Sequence, residues 1–219
     1  MVSAFVLKVA LSFRNIYFDF FGILFSGIAS YFITYGYKSI DLLIDNAVLR
    51  REATIDILTG LYVYRFFEVK LRSEFRRARE MRGEDLSLII CDIDDFKVIN
   101  DTYGHECGNI VLRDLAKVLS RFSRRGDAIC RYGGEEFCFI LPHTDKGSAV
   151  EYAQRVLEAV RSHRFSTPAG TLGITASFGV ASLECGARTP ETLTKMADAA
   201  LYEAKKAGKN KVSVYSKDL

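Results

Sequence analysis

Two adjacent glycines near the middle of the chain, Gly133 and Gly134, place the tightest local constraint on its fold. They separate two short apolar runs, residues 128–132 and 137–141. A Gly-Gly pair between such runs predicts a β-hairpin, because glycine reaches turn conformations that other residues avoid. The next two residues, Glu135 and Glu136, then stand at the hairpin tip on the rim of a sheet. Taken alone, two acids on a tip read as an ordinary solvated turn.

The segments around the hairpin alternate in period. Arg65 to Arg82 has helical spacing, with Phe66, Val69, Phe75 and Ala78 on or near one face. Leu86 to Cys91 is a short continuous apolar run, as in a buried strand. Gly108 to Phe122 and Ala149 to Val160 read as helices, and Thr171 to Ser182 as one strand rich in β-branched residues. Pro190 to Ala207 is a helix with Thr189 as N-cap and Gly208 as stop, followed by a closing strand at Val212 to Tyr215. Strands separated by helices, with one central hairpin, predict an α+β domain in which helices flank a central mixed β-sheet. The five cysteines form no CxxC pair and no zinc spacing, and read as small buried residues of a reducing compartment. A net charge of only +3 gives no basic face for nucleic acid, so none is expected as a partner.

The N-terminus differs in kind. Residues 20–37 form a run of 18 uncharged residues with Tyr and Phe crowding its borders. That is close to the length of a membrane-spanning helix, with aromatics suited to the interface. The readings are a transmembrane or membrane-docked helix, a buried or dimer-forming helix, and a cleaved leader; the first is carried forward. The organisation expected is a membrane-type segment over 1–37, a signalling helix linker over 38–53, and a catalytic-type domain over 54–217.

Asp92, Asp94 and Asp95 follow directly on the buried strand. Carboxylates there must be solvated, paired or bound to a cation, and hard oxygens suit Mg²⁺. The plainer alternative is an Asp capping the next helix. Two acidic rims on one sheet, Asp92-Ile93-Asp94 and Glu135-Glu136, change the balance. Together they suit one or two Mg²⁺ ions that polarise a phosphoryl oxygen and activate a hydroxyl.

These residues also resemble a known family. Gly133 to Phe137 (GGEEF) is similar to the signature of the GGDEF diguanylate cyclases, in its Glu variant. Asp56 to Leu61, Asp92 to Asp101, Tyr103 to Gly108, Ser177 to Ala181 and Ala197 to Asn210 resemble further family motifs in the same order. The resemblance covers roughly residues 54–217. It implies a palm-like nucleotide cyclase fold and the condensation of two GTP into cyclic di-GMP, with two pyrophosphates released, across a homodimer interface. It implies Mg²⁺, or Mn²⁺, held by Asp92, the Ile93 carbonyl and Glu135 or Glu136, with one of the two glutamates taking the 3′-hydroxyl proton. Asn100 and Asn109 would face guanine, Lys205 and Lys209 the triphosphate, and Phe96 and Lys97 would lie in the phosphate loop. Arg124 and Asp127 match an RxxD site that binds cyclic di-GMP and inhibits. His105 reads as a structural hydrogen-bonding residue, and His143 and His163 as surface residues. Since GTP is inside the cell, the domain is expected on the cytoplasmic side of the inner or cell membrane, held there by the N-terminal helix.

The chain departs from the family pattern at particular points. Val63 and Tyr64 stand where Asn-Arg is usual, Ile57 where Pro is common, and Asn109 where an Asp is expected. An amide offers donors as well as an acceptor, so Asn109 suits relaxed purine selectivity. The departures also suit a catalytically silent module that binds GTP or cyclic di-GMP.

Overall fold

A computed structural model describes residues 3, 25–40, 54–81 and 84–216. The chain divides into two compact units, residues 1–53 and 54–219. In the first, residues 25–40 are helical, with Phe25, Tyr31, Phe32, Tyr35 and Tyr37 exposed. Among the described residues no helix is long and apolar enough to cross a membrane. Residues 20–24 of the apolar stretch, and 41–53 of the expected linker helix, lie outside the described residues.

The second unit is the α+β arrangement that the sequence predicts. Its strands are β1 (Tyr62–Val63), β2 (Leu86–Ile93), β3 (Ala128–Arg131), β4 (Glu136–Pro142), β5 (Phe165–Thr167), β6 (Gly170–Leu172), β7 (Ala176–Ser182) and β8 (Val212–Val214). Its helices are α1 (Tyr64–Glu80), α2 (Phe96–Ser120), α3 (Lys146–Ser162) and α4 (Pro190–Lys206). Six strands form one sheet in the order β1-β3-β4-β2-β7-β8. The outer pairs β1–β3 and β7–β8 are parallel and the inner pairs antiparallel, so the sheet is mixed.

Strand β2 is central and buried at every position, which is why it reads as a continuous apolar run. Its alternate residues feed two cores. Ile89, Cys91 and Ile93 pack with Phe137, Phe139 and Phe178 beneath α2 and α3. Leu88 and Ile90 pack with Cys138 and Ile140 beneath α1 and α4. All five cysteines are free and buried.

Several elements differ from the sequence reading. Helix α1 turns Phe67, Leu71, Phe75 and Ala78 inward, while Val69 is 65% exposed. The expected strand over 171–182 is two strands: β6 pairs with β5 in a separate small sheet, and β7 joins the main one. Helix α2 starts at Phe96 rather than at 108, and is broken at Gly104, where φ 83 and ψ 159 interrupt the spiral. The caps of the last two helices follow side-chain chemistry. Asp145 accepts from the Ser148 N–H at 2.8 Å, and Thr189 accepts from the Thr192 N–H at 3.1 Å with Pro190 behind it.

One contact fixes α4 against the sheet. A Cβ on Gly179 of β7 would lie 2.2 Å from the Ala197 carbonyl oxygen and 2.3 Å from the Leu201 nitrogen. Both are backbone atoms of α4, so the helix cannot approach this closely unless residue 179 lacks a side chain. Gly179→Ala is therefore expected to destabilise the domain by about 3 kcal/mol in urea unfolding, at the upper end for overpacking. Gly134 has open space where its Cβ would be. Gly134→Ala is expected to stay within about 1 kcal/mol of the parent.

Candidate active site

The hairpin tip and the end of β2 meet because β4 and β2 are antiparallel neighbours. Asp92 lies opposite Glu136 on one side and Ser177 on the other. Side chains of directly opposed residues share a face. The Ile93 N–H donates to the Glu135 carbonyl at 3.3 Å, which carries the ladder one step into the turn. The Glu136 carboxylate folds over Gly133, where a Cβ would lie 2.6 Å from its Oε2. Asp92 is thus inside β2, not after it as the sequence reading has it.

The other two aspartates have different surroundings. Asp94 is buried, and accepts from Ser177 Oγ and Thr175 Oγ1 at 2.7 Å each and from the Asn210 N–H at 3.0 Å. Those bonds tie the ends of β2 and β7 to the segment after α4. Asp95 occupies the N-cap position of α2 with left-handed φ 55, but makes no capping bond. Its carboxylate accepts instead from Lys209 at 2.5 Å. The cap reading of this cluster is therefore met in position only.

Cations from α4 and the loop beyond it face these acids. Lys205 Nζ is 2.9 Å from Asp92 Oδ2. Lys209 is raised above its usual range, chiefly by its hydrogen bond to Asp95. Burial pushes the Asp92 carboxyl up, and Lys205 draws it down without cancelling the effect. Burial, and then the Asp92 charge, push Glu135 up as well. Among the described residues no three acidic, His or Cys side chains already converge as a metal site. The donor set nonetheless fits a divalent cation. It offers hard oxygens only, and the carboxylates of Asp92 and Glu135 are raised chiefly by burial, a cost that a bound cation would offset.

The remaining predicted residues spread along α2 and beyond. Phe96 is 5% exposed and packs in the core, so only its backbone can face a phosphate. Lys97 is exposed and Asn100 is half-buried. The Asn100 side chain lies over Gly108, where a Cβ would fall 2.0 Å from its Oδ1. Asn109 is exposed just beyond, so Asn100 and Asn109 flank the break at Gly104. His105 is exposed and makes no side-chain hydrogen bond among those of the described residues, unlike the structural role expected. His143 is exposed as expected, with its ring 2.8 Å from the Arg77 guanidinium. Arg124 and Asp127 lie on the turn that leads into β3. The Asp127 carboxylate accepts from the Arg124 N–H at 2.9 Å and from its Nε at 3.3 Å, while Arg124 Nη2 donates to Thr144.

A brace behind the acidic tip has no individual signal in the sequence reading. Arg131 donates from Nη2 to the Gly134 carbonyl at 2.8 Å and from Nη1 to Asp56 Oδ1 at 3.1 Å. Asp56 also accepts from Thr59 N–H at 2.9 Å and Thr59 Oγ1 at 2.6 Å. Asp56 opens a motif noted above and Arg131 lies in the run before the glycine pair, but their partnership spans 75 positions and appears only in the fold.

Comparisons with known proteins agree with this geometry. Residues 53–211 match the family model described as "Diguanylate cyclase, GGDEF domain". Diguanylate cyclase A of Treponema denticola is 35% identical over 178 residues, covering 80% of this chain and 48% of that protein. Response regulator PleD of Caulobacter vibrioides is 41% identical over 162 residues, covering 73% of this chain and 36% of that protein. The chain thus spans about half or less of these relatives. The GGDEF domain of DgcB from Caulobacter crescentus, solved in complex with c-di-GMP, superposes with a TM-score of 0.71 at 33% identity, covering 75% of this chain and 96% of that one. The active GGEEF domain of a diguanylate cyclase from Vibrio cholerae gives 0.63 at 34% identity, covering 68% of this chain and 94% of that one. The class defined by sheet and site is thus a GGDEF-type domain. The chain belongs to the GGDEF-domain family of diguanylate cyclases.

The Asp56 brace has a pH signature. Burial works to raise its carboxyl, but the Thr59 bonds and Arg131 together outweigh burial and hold it below its usual range. A depressed carboxyl contributes stability above its unfolded pKa and loses it as pH falls through the folded value. The stability advantage of wild type over Asp56→Asn is expected to be about 1 kcal/mol near neutrality and to fall away as the pH drops below the usual carboxylate range. Urea titrations of both proteins across that range measure it.

Proposed function

We propose that the chain condenses two GTP molecules into cyclic di-GMP, releasing two pyrophosphates, at a site completed by a second copy. The observation that carries this reading is the opposition of Asp92 and Glu136 across β2 and β4, with Lys205 already on Asp92. When bound, Mg²⁺ or Mn²⁺ supplies charge neutralisation of the phosphoryl oxygens and acidifies the attacking 3′-hydroxyl. Asp92, the Ile93 carbonyl and Glu135 or Glu136 are the residues that hold it. One of the two glutamates takes the hydroxyl proton. Lys205 and Lys209 bind the triphosphate as point charges, exchanging Asp92 and Asp95 for phosphate oxygens. Lys97, with the α2 backbone behind Phe96, closes the phosphate side. Asn100 and Asn109 read the base beside the Gly104 break.

One such site holds one nucleotide, and its 3′-hydroxyl needs a second α-phosphate. A homodimer with facing half-sites meets that need through positioning and charge stabilisation. Arg124 and Asp127 bind the product and restrain the enzyme; the exposed guanidinium suits its phosphates. The exposed aromatics along residues 25–40 favour attachment to the cytoplasmic face of the cell membrane. The amide at Asn109 favours a second reading, a cyclase that also accepts adenine.

The test is turnover of the full-length chain with GTP and Mg²⁺, with products separated chromatographically. Cyclic di-GMP is expected from wild type, with losses of at least about a hundredfold in Asp92→Ala and Glu136→Ala. Arg124→Ala is expected to keep turnover and lose product inhibition. A mixed product on adding ATP establishes relaxed selectivity. No product from a folded dimer overturns the enzyme reading in favour of a silent binding module, with Val63, Tyr64 and Asn109 the departures to revert first.

A further inference from the structure

The acidic tip carries two glycines, which leave its backbone without side-chain support. Arg131 and Asp56 hold it from one side. The neighbouring residue, Tyr132, projects to the opposite face. Its ring stands edge-on to two rings from the start of α1: Tyr64 at 5.0 Å and 73°, and Phe67 at 5.1 Å and 90°. Tyr64 and Phe67 also stack on each other, with centroids 5.9 Å apart. The Tyr132 N–H donates to the Glu136 carbonyl at 2.8 Å, and the Gly133 N–H donates to the same oxygen at 3.2 Å. The residue that these rings grip is therefore the one that closes the turn bearing Glu135 and Glu136.

The two rings on α1 differ in what the fold asks of them. Phe67 is 2% exposed and belongs to the core, whereas Tyr64 is 44% exposed. A groove of about 260 Å³ between α1 and α4, lined by Tyr64, Phe67, Leu71, Tyr132 and Asp198 among others, opens beside the rings. Tyr132 lines that groove together with Tyr64, so its ring is held on the groove side by Tyr64. Position 64 lacks the arginine usual in the family, so the support it gives is aromatic rather than ionic.

We propose that Tyr64 is a positioning residue of the cyclase. Its ring, packed edge-to-face on Tyr132, fixes the turn from 132 to 136 and so the placement of Glu135 and Glu136. Tyr64 itself touches neither nucleotide nor cation. The proposal rests on the cyclase reading above.

The test uses the full-length chain carrying Tyr64→Ala, Tyr64→Leu or Tyr64→Phe. Ala and Leu are expected to lower kcat about tenfold, the size of a lost aromatic pair, with KM for GTP within about twofold of wild type. Phe, which keeps the ring, is expected to restore kcat. Amide hydrogen exchange of the peptide covering 131–137 is expected to accelerate in Ala and Leu, while peptides from β2 and β7 keep their protection. Unchanged kcat in Tyr64→Ala overturns the proposal. So does a Phe variant as impaired as Ala, which assigns the effect to the hydroxyl, or exchange that accelerates across the whole sheet. The exchange experiment needs no turnover. If wild type makes no cyclic di-GMP, the cyclase reading falls on its own, and local or global exchange still decides whether the ring holds the turn.

Discussion

The approach of α4 to the sheet at Gly179 is the constraint on which the site depends. Backbone meets backbone there, with no side chain between. That contact sets the height of the whole helix above β7, and with it the reach of Lys205 to Asp92 one turn beyond Leu201. The same helix delivers the loop at 209 and 210, where two residues take left-handed φ to bring Lys209 onto Asp95 and the Asn210 N–H onto Asp94. A missing side chain on one strand thus governs the placement of cations at the edge of another.

Charge explains why so many acids tolerate one another. Asp92 and Asp94 are both 7% exposed, yet each is compensated differently. Asp94 is satisfied by three neutral donors and acts as a knot. Asp92 has a single ammonium partner, and Glu135 has only the more distant pull of that same group. The family resemblance assigns the cation to Asp92, the Ile93 carbonyl and Glu135 or Glu136, so both of these groups are among its candidates. A site of this kind rests as internal ion pairs and opens to ligands that bring matching charge, a cation for the carboxylates and phosphates for the lysines.

Much of this was legible in the sequence, and the rest was not, for identifiable reasons. The hairpin, β2 and the helices α3 and α4 follow from local signals: a glycine pair, apolar runs, helical spacing and, for α4, the N-cap Thr189. The facing of Asp92 and Glu136 is also accessible, given two strands ending together. The start of α2 was hidden although Phe96, Ile99 and Tyr103 recur at helical spacing, because the segment is short and Gly104 disguises its continuity with the later helix. The break between β6 and β7 falls at Gly173 to Thr175, where one glycine interrupts an otherwise β-prone stretch and the sheet topology decides which residues pair. Asp94 as a knot, the Arg131–Asp56 brace and the ring of Tyr64 on Tyr132 all join segments far apart in the chain. No local pattern announces them.

The central claim is that Asp92 and Glu136 form the acidic wall of a joint nucleotide and cation site whose resting counter-ion is Lys205. The most direct measurement is the electron paramagnetic resonance of Mn²⁺ added to the full-length chain with 3′-deoxy-GTP, which binds but cannot react. The account predicts bound Mn²⁺ with phosphorus couplings in wild type, and loss of protein-bound Mn²⁺ in Asp92→Ala. Bound Mn²⁺ that persists unchanged in Asp92→Ala, or an absence of any protein-bound signal in wild type, would contradict it.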